Sequence, residues 1–416
     1  MNANATVSAV AACPHFNPMD PAHLANPYPN YAQLREEAPV FYDAQYDLWF
    51  ITRYDDIAAA VKQPEIFSSV GALNATGGYS AAVQAVLAQG VGAAQLIVEV
   101  DEPVHGRIRR VLNKAFTPQR IAQLEPQIRT LTDQLIDAFV ADGRADLVTQ
   151  FALLLPGLVI CDLFGVPRAD FPNLKRWTDD WIVLLSVDVS EDYQIHCAHS
   201  MVAYQNYLRE QFEDRQRQPR EDLLTVMLPA EMGGAAPLSV AEAAYNAMNL
   251  MAAGHETTAK AIANGLVQLF AHRDQLDQLR ANPALIPNAV EEMLRFDTPT
   301  QGLFRTTTCP VELSGVTIPA GARVFLVYGS ANHDAAQFSE SERFDIARPN
   351  AREHLAFSRG IHVCIGAPLA RLEIRTALER LLERLPNLRP AAHAAPERFE
   401  HFWLRGFNTL PTEWDA

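Results

Sequence analysis

The spacing of apolar residues predicts helices over most of the chain. Ile286, Ala289, Val290, Met293 and Leu294 fall at i, i+3, i+4, i+7 and i+8, one face of a helix that ends near Pro299. Leu378, Leu381, Leu382 and Leu385 repeat that spacing behind Pro368, which suits a first helical turn. Amphipathic helices are also predicted over 122–142, 147–164 and 171–185, with breaks at Gly143 and Gly165-Val-Pro167. A helix is expected over 31–37 and another from Tyr54, separated by short aromatic and β-branched runs at 40–43 and 48–52 that read as strands. Two further strands, 311–313 and 323–327, are turned by Gly315 and by Pro319-Ala-Gly321. Ser239 and Glu242 form a capping box at the head of a helix running to about Ala271. That helix is apolar on most sides, so it is expected at the centre of the fold. The Gly- and Ala-rich stretch 68–95 reads as a loop with room for one short helix, and the charged run 210–222 as an exposed linker.

Composition narrows the class. At 416 residues and 49% hydrophobic, the chain is long enough for a large core, and a net charge of −15 argues against nucleic acid as the main partner. The five cysteines are widely spaced with no CxxC pair, which suggests neither a disulfide framework nor a zinc site. Residues 1–16 carry no positive charge and only a short apolar run, unlike a signal peptide or membrane anchor. No stretch reaches ~18 uninterrupted apolar residues, so no membrane span is expected. These features point to a soluble, cytoplasmic protein: a flexible tail over 1–18, then one domain over 19–416 without internal repeats.

Two segments carry candidate chemistry. The first is Phe357-Ser-Arg-Gly360-Ile-His362-Val-Cys364-Ile-Gly366. A lone cysteine is most often a small buried hydrophobe. This one stands at the mouth of a predicted helix, where free N–H groups and the dipole favour a thiolate, the form an iron ligand takes. The second is Ala253-Gly254-His255-Glu256-Thr257-Thr258, in the middle of the long apolar helix. A carboxylate and two threonines there are costly unless paired or used. The plain alternative is a local bend, with a threonine bonded to the preceding turn and Glu256 in a salt bridge.

The first segment resembles the haem-ligand signature of the cytochrome P450 family, which fixes five of its ten positions; this chain meets all five. Ser358 departs from it only in standing where many relatives have a second glycine. The resemblance extends from about Pro27 to Pro411, with the family's motifs in order. It implies a mainly α fold with a small β region (α+β), a long central helix over a haem, and the cysteine loop on the haem's opposite side. By resemblance, Cys364 is the iron ligand of haem b (iron protoporphyrin IX). His105, Arg109, Arg305 and His362 hold its propionates, and Glu256 and Thr257 are the acid–alcohol pair that manages protons. Glu292, Arg295 and Arg348 resemble the family's structural brace, although Glu292 and Arg295 lie off the apolar stripe of their helix.

The activity implied is insertion of one atom of O2 into a small-to-medium hydrophobic substrate. No flavin or iron–sulfur motif occurs, so electrons are expected from a separate ferredoxin and its NAD(P)H-dependent reductase. Arg109, Arg110, Lys114, Arg359 and Arg371 are expected to form a basic docking patch for that partner. A haem sensor has no need of the acid–alcohol pair, and peroxide-using relatives typically lack it. The substrate pocket is expected to draw on 71–100, on Trp177, Trp181, Leu184, Leu250 and Ala253, and on Thr300, Leu303, Phe304, Leu404 and Phe407.

Overall fold

The computed structural model describes residues 16–73, 78–91, 94–185, 189–228 and 237–415. It is 56% helical with small sheets, as the periodicities predict. Helix α1 (Tyr28–Glu37) begins earlier than the 31–37 expected, because Pro29 sits in the first turn, where a missing N–H costs nothing. Strands β1 (Val40–Asp43), β2 (Leu48–Ile51) and β3 (Phe67–Ser68) follow. Next come α2 (Val104–Asn113), α3 (Pro118–Asp137), α4 (Leu154–Phe164), α5 (Phe171–Leu184), α6 (Glu191–Arg217) and α7 (Val240–Ala271). The C-terminal third holds α8 (Ile286–Phe296), β4 (Leu303–Thr307), β5 (Arg323–Leu326), α9 (Ala367–Arg384), β6 (Glu397–Phe399) and β7 (Gly406–Thr409). Strands β1 to β5 form one sheet in the order β1-β2-β5-β4-β3, with β2 and β5 parallel in the register Trp49 to Val324. A short helix at Ala81–Leu87, capped by Ser80, lies within the expected loop; residues 74–77 and 92–93 of that loop fall outside the described residues.

Helix α7 is the spine. The capping box forms as expected: Ser239 Oγ accepts from Glu242 N at 3.2 Å, and Ser239 N donates to Glu242 Oε2 at 2.8 Å. The helix packs on α4, α6, α8 and α9, which accounts for its apolar character on nearly every side. At Gly254 an added Cβ would lie 2.8 Å from Ile160 Cδ1, so this glycine permits close approach of α7 and α4.

Several sequence expectations are corrected. The run 210–222 is not an exposed linker: α6 continues to Arg217, and Arg215, with 0% exposure, pairs with Asp222 at 2.9 Å. Its charges concealed a helical stripe of Met201, Tyr204, Leu208 and Phe212, which the core buries. Glu292 and Arg295, off the apolar stripe of α8, are buried as well, because the chain around Arg348 covers that face. Phe16, inside the expected tail, packs edge-on against His23, Phe41 and Phe50. Residues 1–15 of that tail lie outside the described residues.

Candidate active site

The cysteine loop is held from several directions. Cys364 N donates to Phe357 O at 2.9 Å, and Arg109 Nη1 donates to Val363 O at 2.8 Å. Gly360 has φ +71°, and a Cβ there would meet Val61 O at 2.3 Å, so glycine is required. Ser358 also adopts a left-handed φ, +56°, the conformation for which glycine is the easier residue. Its hydroxyl is bonded to the Tyr328 hydroxyl at 3.0 Å, a contact glycine could not make.

Behind the loop lies a buried ion network. Glu292 binds Arg295 through two hydrogen bonds of 2.7 and 2.8 Å and accepts from Arg348 Nε at 3.2 Å. The remaining N–H groups of both arginines go to backbone carbonyls, among them Asn332, Ser341, Ser339 and Arg343. Asn332 Oδ1 in turn accepts from Leu355 N at 2.7 Å, two residues before the loop. The neighbouring Glu291 ties Arg371 at 2.8 Å and His354 at 3.2 Å, and these two residues flank the loop. Although burial alone would raise it, Glu291 is held down to about 2 by His354 and Arg371. The three brace residues expected from sequence do meet.

Cys364 opens into a cavity whose opposite wall is α7. One wall carries Cys364, and the other carries Ala253, Glu256, Thr257 and Thr258. The thiol is accessible inside the cavity although protein surrounds it on all sides. Burial pushes it up, opposed by the backbone N–H groups of Gly366 and Ala367 and by the Arg109 guanidinium. The helix mouth therefore favours the thiolate, as expected, but does not by itself overcome burial.

At the edge of the cavity His105, Arg109, Arg305 and His362 come together from α2, β4 and the loop. The rings of His105 and His362 lie 4.3 Å apart, and His362 Nε2 is 3.0 Å from Ser69 Oγ. His362 is pushed down to about 3 by burial and by Arg305, His105 and Arg109 beside it. His105 Nε2 is buried without a hydrogen-bond partner. Two guanidiniums crowded beside this unpartnered ring nitrogen form a site that fits an anion.

On the distal wall α7 is unbroken. Thr257 Oγ1 donates to Ala253 O at 2.8 Å, so the plain alternative of a threonine bonded to its preceding turn describes the geometry. Glu256 is 4% exposed and ion-paired with Lys260 at 2.5 Å and Lys175 at 3.1 Å, with His255 Nε2 at 3.3 Å. Burial would raise its carboxyl, but Lys260, His255 and Lys175 hold it well below the usual carboxylate range. Lys260, four residues on, was open to detection by helical spacing. Lys175, on α5, carried no signal in the sequence. Glu256 also borders a second cavity, lined by Lys175, Asp179, Lys260, Glu400, His401 and Asn408.

Of the expected pocket residues, Trp181, Leu250, Ala253, Thr300, Leu303 and Leu404 line the first cavity, as do Leu73, Ile97 and Val98 from the 71–100 region. Trp177 instead stacks on Tyr204 and packs at a tilt against Tyr207, Leu184 is core, and Phe304 packs on Phe325 and Phe402. Phe407 borders the second cavity. Ile182, Leu185, Asn249 and Trp403 also line it and were not anticipated.

A family model described as Cytochrome P450 matches residues 42–411. The chain belongs to the cytochrome P450 family. It is therefore an oxidoreductase of the monooxygenase class, and the family implies a haem-thiolate cofactor. This P450 is similar to the cytochrome P450 monooxygenase PikC of Streptomyces venezuelae, at 37% identity over 94% of this chain and 91% of that one. It is 36% identical to the steroid C26-monooxygenase of Mycobacterium tuberculosis, with 92% of each chain covered. Among solved structures it resembles cytochrome P450 CREJ in complex with (4-ethylphenyl) dihydrogen phosphate, with TM-score 0.91, 33% identity, and coverage of 96% and 99%. Among the described residues no helix is long and apolar enough to cross a membrane.

Proposed function

We propose that this P450 inserts one oxygen atom from O2 into a small-to-medium, mainly apolar substrate held between Cys364 and α7. The observation that carries the reading is the cavity itself. A thiol on one wall faces an acid–alcohol pair on the other, with an anion-fitting cluster at the edge. Haem b fits this arrangement. Cys364 would ligate its iron, a cation that favours the thiolate where burial opposes it. Arg109 and Arg305 would pair with the propionates, with His105 and His362 beside them in the same cluster. When bound, the cofactor supplies the electron storage and O2 activation that no side chain offers.

The chain's own residues supply protons and exclude water. Glu256 stands between the substrate cavity and the polar second cavity, so its carboxylate accepts protons on the side of Lys175 and Asp179 and passes them toward Thr257. Thr257 Oγ1 presents its proton to the cavity by turning away from Ala253 O. Leu250, Ala253, Leu303 and Leu404 keep that space apolar.

Electrons come from a separate ferredoxin-type donor and its NAD(P)H-dependent reductase, in a cytoplasmic setting that suits five unpatterned cysteines. The docking patch is narrower than its sequence outline. Arg109 is engaged within the cavity wall and Arg371 with Glu291, while Arg110 and Lys114 are exposed and Arg359 is half-buried. The test is the reduced carbonyl adduct of the haem-loaded protein. Absorption of a thiolate-bound iron is expected, with its loss in Cys364→Ser and substrate oxidation driven by NADH through a ferredoxin system. Wild-type protein without that absorption would overturn the reading.

A further inference from the structure

The cavity is also walled by Leu73, Ile97, Val98, Ile182 and Leu185, and Asn249 and Trp181 bring two polar groups to it. Asn249 lies on α7 four residues before Ala253 and eight before Thr257, so the three share one face of the helix, and all three line the cavity. Trp181 borders the same space from α5. Asn249 is 9% exposed and Trp181 6%. Among the described residues, neither the Asn249 amide nor the Trp181 indole N–H has a hydrogen-bond partner.

The other asparagines of α7 behave differently. Asn246 donates to Gln95 O and Glu242 O and accepts from Ile97 N. Asn264 donates to Asp297 O and Arg405 O. Both fasten α7 to its neighbours, whereas Asn249 fastens nothing. Both groups face the cavity without a protein partner, so a ligand that displaces water there is favoured when it completes them.

We propose that Asn249 and Trp181 form a polar anchor for one uncharged oxygen, a hydroxyl or a carbonyl, at the end of the substrate far from the carbon that is oxidised. This rests on the reading of Thr257 as marking the oxidised end. Eight residues of α-helix span ~12 Å, so anchor and reactive carbon lie on the order of 10 Å apart. The substrate is then elongated and apolar along its length. The anchor suits a neutral oxygen rather than a carboxylate or phosphate. Among the described lining residues, the guanidiniums are those of Arg109 and Arg305, both in the cluster with His105 and His362.

The experiment titrates haem-loaded protein with linear C8–C16 primary alcohols and with alkanes of matching heavy-atom count, read by the Soret shift and by calorimetry. Protein for the titration is first shown to form the thiolate carbonyl adduct, so a failure of the Cys364 reading is seen separately. Wild type is expected to bind alcohols near decan-1-ol at least tenfold more tightly than the matched alkane, and to oxidise them toward the far end. Asn249→Leu is expected to cut the preference below twofold while binding the alkane at least as tightly, and Trp181→Phe to reduce it in part. A wild type with no alcohol preference at any length, one that binds neither series, or a preference that survives in Asn249→Leu would overturn the anchor.

Discussion

Below the cavity, Glu292, Arg295 and Arg348 are buried and paired through nearly every N–H and carboxylate oxygen. Above it, Glu256 is equally buried, but its partners Lys175 and Lys260 border a second, polar cavity. Both are buried carboxylates held by cations, and they answer different needs. The lower network fixes a loop, and it is saturated by backbone carbonyls that offer no alternative partners. On the proposed reading the upper one lets a proton pass, and its cations border a second cavity. A saturated network makes position definite, whereas an ion pair beside a polar cavity keeps a charged group buried and still exchangeable.

The sharpest way to break that comparison is to remove one partner from each network. Arg295→Ala leaves Glu292 short of its bidentate partner in a fully buried site, and should cost about 3–5 kcal/mol of stability. Denaturant unfolding of the purified protein measures this; a loss below ~1 kcal/mol would mean the brace is not saturated.

Glu256→Gln should do the reverse. Turnover with a coupled electron donor should fall by roughly 10²-fold or more, while the fold loses less than half of what Arg295→Ala costs. Equal destabilisation by the two substitutions would erase the distinction.

Acid separates the regions next. His23 is buried near Arg405 and accepts a hydrogen bond from Asn30, and its pKa lies down at about 4. The unfolded chain, with an ordinary histidine, takes up the proton first, so stability falls as pH drops from 6.5 toward 4. The contribution is about 1 kcal/mol by pH 5.5. Glu291, at about 2, keeps its full contribution above 4.5 and loses it only as pH falls toward 2. Acid unfolding followed by hydrogen exchange should therefore loosen the packing of Phe16, His23 and Tyr31 before the brace, and His23→Gln should flatten the slope between pH 6.5 and 4.

The smallest effect is local to the far end of α7. Ser239→Ala removes the capping box and should lower stability by about 1 kcal/mol without changing turnover. A thermal melt and a rate measurement suffice, and a fall in rate would mean that the N-terminal end of α7 is coupled to Glu256.

Much of this protein is written in short-range spacing. The capping box, the loop from Phe357 to Gly366, the helical stripe of α8 and the Glu256-Thr257 pair depend on residues within a turn or two of one another, and local geometry alone fixes which of them can meet. Burial is different, because it sums contributions from distant segments. Trp177 and Trp181 are one turn apart on α5, yet one stacks on α6 and the other lines the cavity. Arg215 reads as a surface charge until Asp222 and Gly165 O close around it. Lys175 reaches Glu256, and Ser69 reaches His362, across sequence separations that no pattern encodes. The sequence by itself determined most of the elements, α6 excepted, the thiol at a helix mouth and the candidate chemistry-bearing residues. Only the tertiary structure decided which charges are paired, which are left facing a cavity, and which polar groups, Asn249 among them, wait for a partner. The reason is that pairing and desolvation belong to the whole packed assembly, not to any single stretch of chain.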